Sequence, residues 1–163
     1  PDVQDLRIEV YSRVDELQTA PEYKYDNDGN KTEWVVFDKD GISLSTTKYM
    51  YENGLNTKIE IFDAASKLYE YFELEYEDEL LVKRTHFDKN GKVKAAVEYQ
   101  IEESTITGEK HLRANGSTSR SVKFVNDDKG SHIKAEYFDG NGTLKDWTET
   151  EYEYISEEVT VEK

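Results

Sequence analysis

The chain has 163 residues, with 21 Lys and Arg against 36 Asp and Glu, so its formal net charge is −15 at pH 7. Apolar residues make up 36% and charged residues 35%, against roughly 45–50% and 25% in ordinary globular domains, which leaves little material for a thick core. The aromatic content of 12 Tyr, 6 Phe and 2 Trp argues against disorder, because disordered segments are poor in aromatic residues.

The composition also excludes several functional classes. The absence of Cys removes disulfides, thiol nucleophiles and Cys-ligated zinc. The negative charge excludes DNA and RNA as partners, since nucleic-acid binders neutralise phosphates with Lys and Arg. No run approaches the roughly 18 apolar residues that span a bilayer, and no signal-peptide pattern follows Pro1. We therefore expect a soluble chain that is not transmembrane, and a trimmed mature form.

The first predicted element lies within residues 3–17, which fit two patterns. The apolar residues there can form one stripe of an amphipathic helix, but Leu6, Ile8 and Val10 also alternate with charged residues, as in a strand. One repeat length before Phe37 falls within this stretch. The repeat therefore favours a strand.

From about residue 20 onward the chain repeats itself, which defines a repeat architecture. An aromatic-acidic motif with a turn after it recurs in steps of 25, 25, 25 and 26 residues. Its first positions are Phe37, Phe62, Phe87, Leu112 and Phe138. A second series, half a period out of phase, begins at Tyr25, Tyr51, Tyr76, Ile101 and Val125. Two turns per unit mean two strands per unit.

The residues between turns alternate as strands do. Ala95, Val97 and Tyr99 share one parity, while polar residues take the other, which indicates a strand with one drier face. Gly91, like the Gly of other Asn-Gly pairs, stands where a hairpin turn needs a positive φ. The Asp after Phe, as at Asp88, can accept hydrogen bonds from the turn backbone.

We therefore predict an all-β fold, an antiparallel meander of tandem β-hairpins of about 25 residues that forms an elongated, curved or single-layer sheet. One domain spans residues 1–163, with units at about 12–36, 37–61, 62–86, 87–111, 112–137 and 138–163. The Phe row and the adjacent row of Val36, Ile61, His86, His111 and Tyr137 are expected to be dry, and Glu and Lys to alternate on the other, wet face.

Two segments are expected to depart from the regular pattern. The unit at residues 105–120 departs most from the pattern, because Leu112 and Arg113 replace Phe and Asp, and it is where we expect a distorted strand, a longer loop or a local binding feature. The acidic residues 149–153 and those of the following tail should protect the last strand from unwanted pairing. The alternative is that this edge docks a partner strand.

The stretches Tyr23–Gly29, Phe37–Gly41 and Tyr49–Gly54 resemble the tyrosine–aspartate (YD) repeats of bacterial Rhs and teneurin-type proteins. They are also similar to the MORN-like repeats of a bacterial antitoxin family. The similarity covers most of residues 20–155. It implies a bacterial origin, a hairpin-repeat sheet, and a role in surface display, toxin handling or protein binding. Neither family supplies catalytic residues.

Tyrosines near strand ends are the candidate binding residues, since Tyr offers a large contact area with little entropy to lose. They are Tyr23, Tyr25, Tyr49, Tyr51, Tyr69, Tyr71 and Tyr99. The alternative is that most of them form the dry face of the sheet. Beside Glu residues, such a row suits a basic protein partner or a stacked sugar ring.

Metal sites are not expected. The Asp-rich turns at residues 26–30 and 38–41 suggest calcium, but an EF-hand loop that starts at Asp26 would need Gly where Lys31 stands and Glu where Phe37 stands. Turn chemistry explains these Asp residues better, with weak calcium binding as the alternative. His86 and His111, one repeat apart, should pack in a row instead of sharing zinc. No cofactor is predicted.

The chain has no Ser/His/Asp spacing, phosphate loop or nucleophile elbow, so we predict that it is not an enzyme. The favoured function is a secreted or surface-displayed bacterial repeat module that binds protein, or carbohydrate, or serves in structural display. A signal peptide or lipobox before Pro1, giving a lipid anchor, would support it. The alternative is a cytoplasmic antitoxin or immunity-type protein that neutralises a basic partner. A carbohydrate-active enzyme using Glu102, Glu103 or Glu109 is the least favoured.

Overall fold

The computed structural model describes residues 5–7, 10–11 and 17–152, which form β-strands joined by turns. The strands are β1 (Asp5–Arg7), β2 (Val10–Tyr11), β3 (Leu17–Tyr25), β4 (Lys31–Phe37), β5 (Ser43–Glu52), β6 (Leu55–Asp63), β7 (Leu68–Glu77), β8 (Leu80–Asp88), β9 (Val93–Glu102), β10 (Thr105–Arg113), β11 (Thr118–Asn126), β12 (His132–Asp139) and β13 (Leu144–Glu149). Within these described ranges, no helix is long and apolar enough to cross a membrane.

Strands β3 to β13 pair antiparallel in chain order and form one open meander, and β1 and β2 both pair with β3. The sheet is not closed. The predicted all-β antiparallel meander is therefore confirmed, and the structure shows that its sheet is open. The strand expected near the N-terminus is confirmed where it is described, since β1 contains Leu6 and β2 contains Val10. The rest of that segment, and most of the acidic tail, lie outside the described residues.

The longer turns share one hydrogen-bonding scheme, as predicted. In six of the seven longer turns among the described residues, the Asp at the start accepts, through Oδ1, the backbone N–H groups two and four residues later, at 2.8–3.0 Å. These residues are Asp26, Asp38, Asp63, Asp88, Asp127 and Asp139. A positive φ follows within the turn, for example 81° at Gly91. The carboxylate thus satisfies backbone donors that the tight turn leaves unpaired.

The unit around residues 105–120 is regular, so the expectation of a distorted strand there is wrong. Strands β10 and β11 have nine residues each. The turn between them keeps its backbone bonds, with the N–H of Arg113 donating to the carbonyl of Ser117 at 2.9 Å. Asn115 Oδ1 accepts the N–H of Ser117 at 3.0 Å. Backbone bonding and a nearby amide oxygen therefore replace the missing Asp.

The strand register assigns side chains to two faces, because residues directly opposite each other on neighbouring strands point to the same side. The Trp34 face also carries Val36, Ile61, Arg84, His86, Val97 and His111. The Phe62 face carries Val35, Phe37, Thr85, Phe87, Ala96 and Leu112. The two predicted rows therefore lie on opposite faces.

Charged residues share the Phe62 face with the aromatic row, so the expectation of one dry and one wet face is wrong. Lys58 pairs with Glu60 there at 2.9 Å. The Nζ of Lys58 also lies 4.7 Å from the ring centre of Tyr71, and the Nζ of Lys48 lies 5.3 Å from that of Phe62. A single layer has no second layer to cover its rings. Lysine stems and ammonium groups cover them instead.

Full burial is confined to the middle of the strands. Among the described residues, the buried hydrophobic side chains are Val35, Ala96, Val97 and Val122, each 7–9% exposed. Thr85 is buried beside them at 8%. So thin a core means that contacts between neighbouring strands, instead of a second layer, hold the sheet together.

Candidate binding surfaces

An aromatic cluster around Lys31 and Trp34 brings together three of the candidate tyrosines. Tyr23 and Trp34 stack with ring centres 6.3 Å apart. The Nζ of Lys31 lies 4.6 Å from the ring centre of Tyr49, 5.6 Å from that of Tyr23 and 5.9 Å from that of Trp34. Tyr51 donates its hydroxyl hydrogen to the carbonyl of Lys31 at 3.0 Å. The cluster therefore already holds a cation from its own chain.

The other candidate tyrosines are dispersed. Tyr71 lies on the Phe62 face and stacks on Phe87 at 4.7 Å. Tyr25 and Tyr99 are half-buried at or near the ends of their strands. Tyr69 is 60% exposed next to a turn. The structure thus spreads the seven residues over both faces, and their role in ligand binding stays a prediction.

Sequence reasoning missed the structural role of some residues at strand ends. The Tyr76 hydroxyl donates to the carbonyl of Asn56 at 2.9 Å, as Tyr51 does to Lys31, and Asn126 Nδ2 donates to the carbonyl of Ile106 at 3.2 Å. Each donor reaches back 20 residues. The repeat period places these donors at similar positions in successive units. Their acceptors, however, follow only from the way the neighbouring strands pair.

One margin of the sheet is strongly acidic. It consists of the turns that join β3 to β4, β5 to β6, β7 to β8, β9 to β10 and β11 to β12, and we call it the acidic margin. Its acidic residues are Asp26, Asp28, Glu52, Glu77, Asp78, Glu79, Glu102, Glu103, Asp127 and Asp128. The turn residues 26–30, 52–55, 77–80, 102–105 and 127–131 include one basic residue, Lys129. The acidic margin therefore carries most of its charge uncompensated.

The opposite margin is electrically balanced, and we call it the mixed margin. It consists of the turns at residues 38–42, 63–67, 88–92, 113–117 and 139–143. Its acidic residues are Asp38, Asp40, Asp63, Asp88 and Asp139, and its basic residues are Lys39, Lys67, Lys89, Lys92 and Arg113. The net charge of the chain is thus distributed unevenly along the strands, which composition alone could not reveal.

Asp26, the first of the carboxylates that suggested calcium, is engaged in its own turn. Asp26 accepts both backbone and side-chain N–H groups of Asn30, at 2.9 and 3.0 Å. These hydrogen bonds hold the pKa of Asp26 below its ordinary value. Turn geometry accounts for the positions of these residues, and the calcium alternative stays a prediction.

The two repeat-spaced histidines each contact a glutamate. His86 Nε2 lies 2.8 Å from Glu70 Oε2, and His111 Nε2 lies 3.0 Å from Glu109 Oε2. Burial works to raise the pKa of Glu70, but hydrogen bonds from His86 and Lys94 outweigh it and hold that pKa below its ordinary value. Sequence reasoning aligned the histidines without finding their partners.

A hollow of about 250 Å³ opens between these histidines on the Trp34 face. Its lining includes Arg84, Arg120 and the side chains of Ala95 and Val97, and it contains no acidic residue. Three other hollows near the acidic margin or the β13 end each include at least one acidic residue. A basic hollow in so acidic a chain was not anticipated from the sequence.

Solved structures similar to this chain include the complex TcdB2-TccC3-TEV, at 10% identity and a TM-score of 0.42, where 89% of this chain and 9% of the other are covered. A porin-like protein from Bacteroides uniformis is similar at 10% identity and a TM-score of 0.38, with 89% and 49% covered. A protein with unknown function from Bacteroides fragilis is similar at 10% identity and a TM-score of 0.31, where 91% of this chain and 93% of the other are covered.

No protein-family model matches the sequence, and no curated protein matches it. The chain spans 9% of the length of the first of these solved structures and about half of the length of the second. The all-β meander fits a repeat-level resemblance to hairpin-repeat proteins. Membership of the YD or MORN-like families stays a prediction.

Proposed function

We propose that this chain is a non-catalytic binding module whose acidic margin docks a basic protein partner. The observation that carries the proposal is the unequal charge of the two margins, ten acidic residues and one basic residue on one side against five of each on the other. An excess of carboxylates along one margin attracts a basic surface at long range and fixes its orientation on contact.

The spacing of the acidic turns supports an extended interface. Successive turns on one margin are two strands apart, about 9.6 Å, so five turns form a row about 38 Å long. Glu52, Glu77 and Glu102 are exposed and recur every 25 residues along this row. A partner with basic side chains at a similar spacing could engage several carboxylates at once, and each added contact would strengthen binding through effective concentration.

The proposal assigns no catalytic role to the margin. General acid–base chemistry needs carboxylates gathered within hydrogen-bonding reach of one reacting group. The acidic residues here are solvated and spread along the row. In the favoured form, the module is secreted or displayed on a bacterial surface. In the alternative form, a cytoplasmic antitoxin or immunity-type protein uses the same margin against a basic toxin.

Site-specific photo-crosslinking in the source cells tests the proposal. The crosslinking amino acid replaces Asp128 at the acidic margin or Ala64 at the mixed margin, since each is the residue after the Asp that closes its turn. We expect a basic protein to be captured from position 128 and not from position 64. Equal capture at both positions, capture of acidic proteins, or no adduct at position 128 would contradict the proposal. The compartment of the captured protein separates the surface form from the cytoplasmic form.

A charge-matched pair of variants then tests the captured partner in vitro. E52Q/E77Q/E102Q removes three negative charges from the acidic margin. D40N/A64K/A114K changes the net charge by the same amount at the mixed margin. We expect at least tenfold weaker binding for the first variant and little change for the second. Equal losses would mean that net charge, and not the margin, drives association.

A further inference from the structure

We propose that the hollow between Arg84 and Arg120 on the Trp34 face binds a small organic dicarboxylate. This inference is independent of the acidic margin, because it concerns another surface and a ligand of the opposite charge. It begins with the order of residues across four neighbouring strands. Arg84 on β8 lies opposite Val97 on β9, Val97 opposite His111 on β10, and His111 opposite Arg120 on β11.

The two arginines therefore stand on either side of a floor that is apolar beside Arg84 and carries an imidazole beside Arg120. Their backbones are three strand spacings apart, about 14 Å. Val97 is 9% exposed and, with Ala95 next to it on the same face, forms the apolar part of the floor, and the half-buried His111 lies between Val97 and Arg120. Both arginine residues are exposed. A ligand with an anionic group at each end and a carbon body between them would match this sequence of charge, apolar surface and charge.

Neither guanidinium forms an ion pair with a carboxylate of the described residues. This is unexpected in a chain with 36 acidic residues. Arg84 contacts the ring of Phe72, with its guanidinium carbon 5.6 Å from the ring centre. The donor groups of both arginines thus stay available for a carboxylate from another molecule, which a guanidinium binds through two parallel hydrogen bonds.

Acidic residues around the hollow have partners other than the two arginines. Glu70 and Glu109 contact the two histidines. Asp139 lies directly opposite Arg120 on β12, but Lys145 Nζ holds its carboxylate at 2.9 Å, and two turn N–H groups also donate to it. The fold therefore keeps its own carboxylates away from Arg120 by giving each one another partner.

The volume of the hollow limits the size of the ligand. About 250 Å³ corresponds to roughly eight water molecules at the density of the liquid. A saturated dicarboxylate of five to seven carbons has about nine to eleven non-hydrogen atoms, slightly more than that number of water molecules, and its methylene groups would cover Ala95 and Val97. Inorganic anions would reach one guanidinium and leave the floor exposed.

Titration of the whole chain with pimelate, followed by amide chemical shifts, tests this inference. Hexanoate serves as the monocarboxylate control and sulfate as the inorganic dianion control. We expect pimelate to bind saturably and at least tenfold more tightly than either control, with shifts centred on β8–β11. Binding that does not saturate, or equal affinity for pimelate and hexanoate, would overturn the inference.

Two substitutions and a matched control complete the test. R84Q and R120Q should each reduce the pimelate affinity at least tenfold, to the level of hexanoate. K123Q removes the same charge from the same strand as R120Q, but its side chain lies on the other face, so it should leave the affinity unchanged. Equal losses in K123Q and R120Q would assign the binding to general electrostatics and refute the site. Unchanged circular dichroism in all three variants confirms that the sheet is intact.

Discussion

The two margins of the sheet reverse the chain at the same spacing but use carboxylates differently. At the mixed margin, four of the five turns are closed by an Asp that accepts two backbone N–H groups. At the acidic margin, the three central turns have two residues each, and both residues of each turn have a positive φ. In two of these turns neither residue is Gly, for example Asp78 (47°) and Glu79 (65°). Turn length therefore decides whether a carboxylate stabilises the backbone or is left to the solvent.

The largest expected effect comes from removing a turn-closing carboxylate. Asp63→Ala deletes the acceptor of the Ala65 and Lys67 N–H groups, both at 2.9 Å. Its turn also has Ser66 at a φ of 57° in place of Gly. We expect a loss of about 1 kcal/mol in the free energy of unfolding, measured with urea. Asp128→Ala is the control, since Asp128 follows the turn-closing Asp of its own turn and accepts neither of the two backbone N–H groups that this Asp binds. It should change stability little; equal losses would show that the turn hydrogen bonds do not carry the effect.

A smaller gain is expected from relieving the strained turns of the acidic margin. A left-handed conformation costs a residue with a Cβ roughly 1–2 kcal/mol, and the extra freedom of Gly in the unfolded chain offsets part of that. Glu79→Gly should therefore stabilise the protein by about 0.5 kcal/mol. Gly54, at a φ of 81° in the equivalent turn, provides the reverse test, since Gly54→Ala should destabilise. A neutral or destabilising Glu79→Gly would show that the turn is not strained.

Acid should weaken the mixed margin through Asp139. A hydrogen bond from Lys145 and those from the turn lower the pKa of Asp139 from 3.8 to about 2. Because the folded pKa is the lower one, Asp139 stabilises the fold fully above pH 4, and this contribution is lost as the pH falls toward 2. Urea midpoints across this range should therefore fall less steeply in Asp139→Asn than in the unmodified protein. Parallel curves for the two proteins would contradict the assignment.

The smallest expected effect is the relief of repulsion within the acidic margin. Salt screens exposed charges separated by more than about 10 Å at 0.1 M, so added NaCl should raise the melting temperature slightly. E52Q/E77Q/E102Q should be more stable than the unmodified protein at low salt, and the difference should vanish at high salt. Asp40→Asn at the mixed margin should show no such salt dependence. A salt-independent difference would point to a local contact instead of repulsion.

The repeat made most of the fold predictable. Strand positions, turn positions and the role of the Asp residues follow from the period and from local turn chemistry, because each hairpin is built from residues close in sequence. The assignment of Phe62 and Lys58 to one face was missed, since alternation suggests one dry face and takes no account of lysine covering aromatic rings. The hollow between Arg84 and Arg120 required the register of four strands, which no single repeat encodes.

The pairing of strands has a consequence for how this chain could change in length. Backbone pairing between the described strands joins only strands that follow each other along the chain, apart from β1, which reaches past β2 to β3. Such local contacts favour rapid folding in spite of the all-β architecture. They also mean that inserting or deleting one whole hairpin shifts the two ends of the sheet by about 9.6 Å without changing the surroundings of the remaining units. The number of hairpins can therefore vary between molecules while each surviving unit keeps its structure.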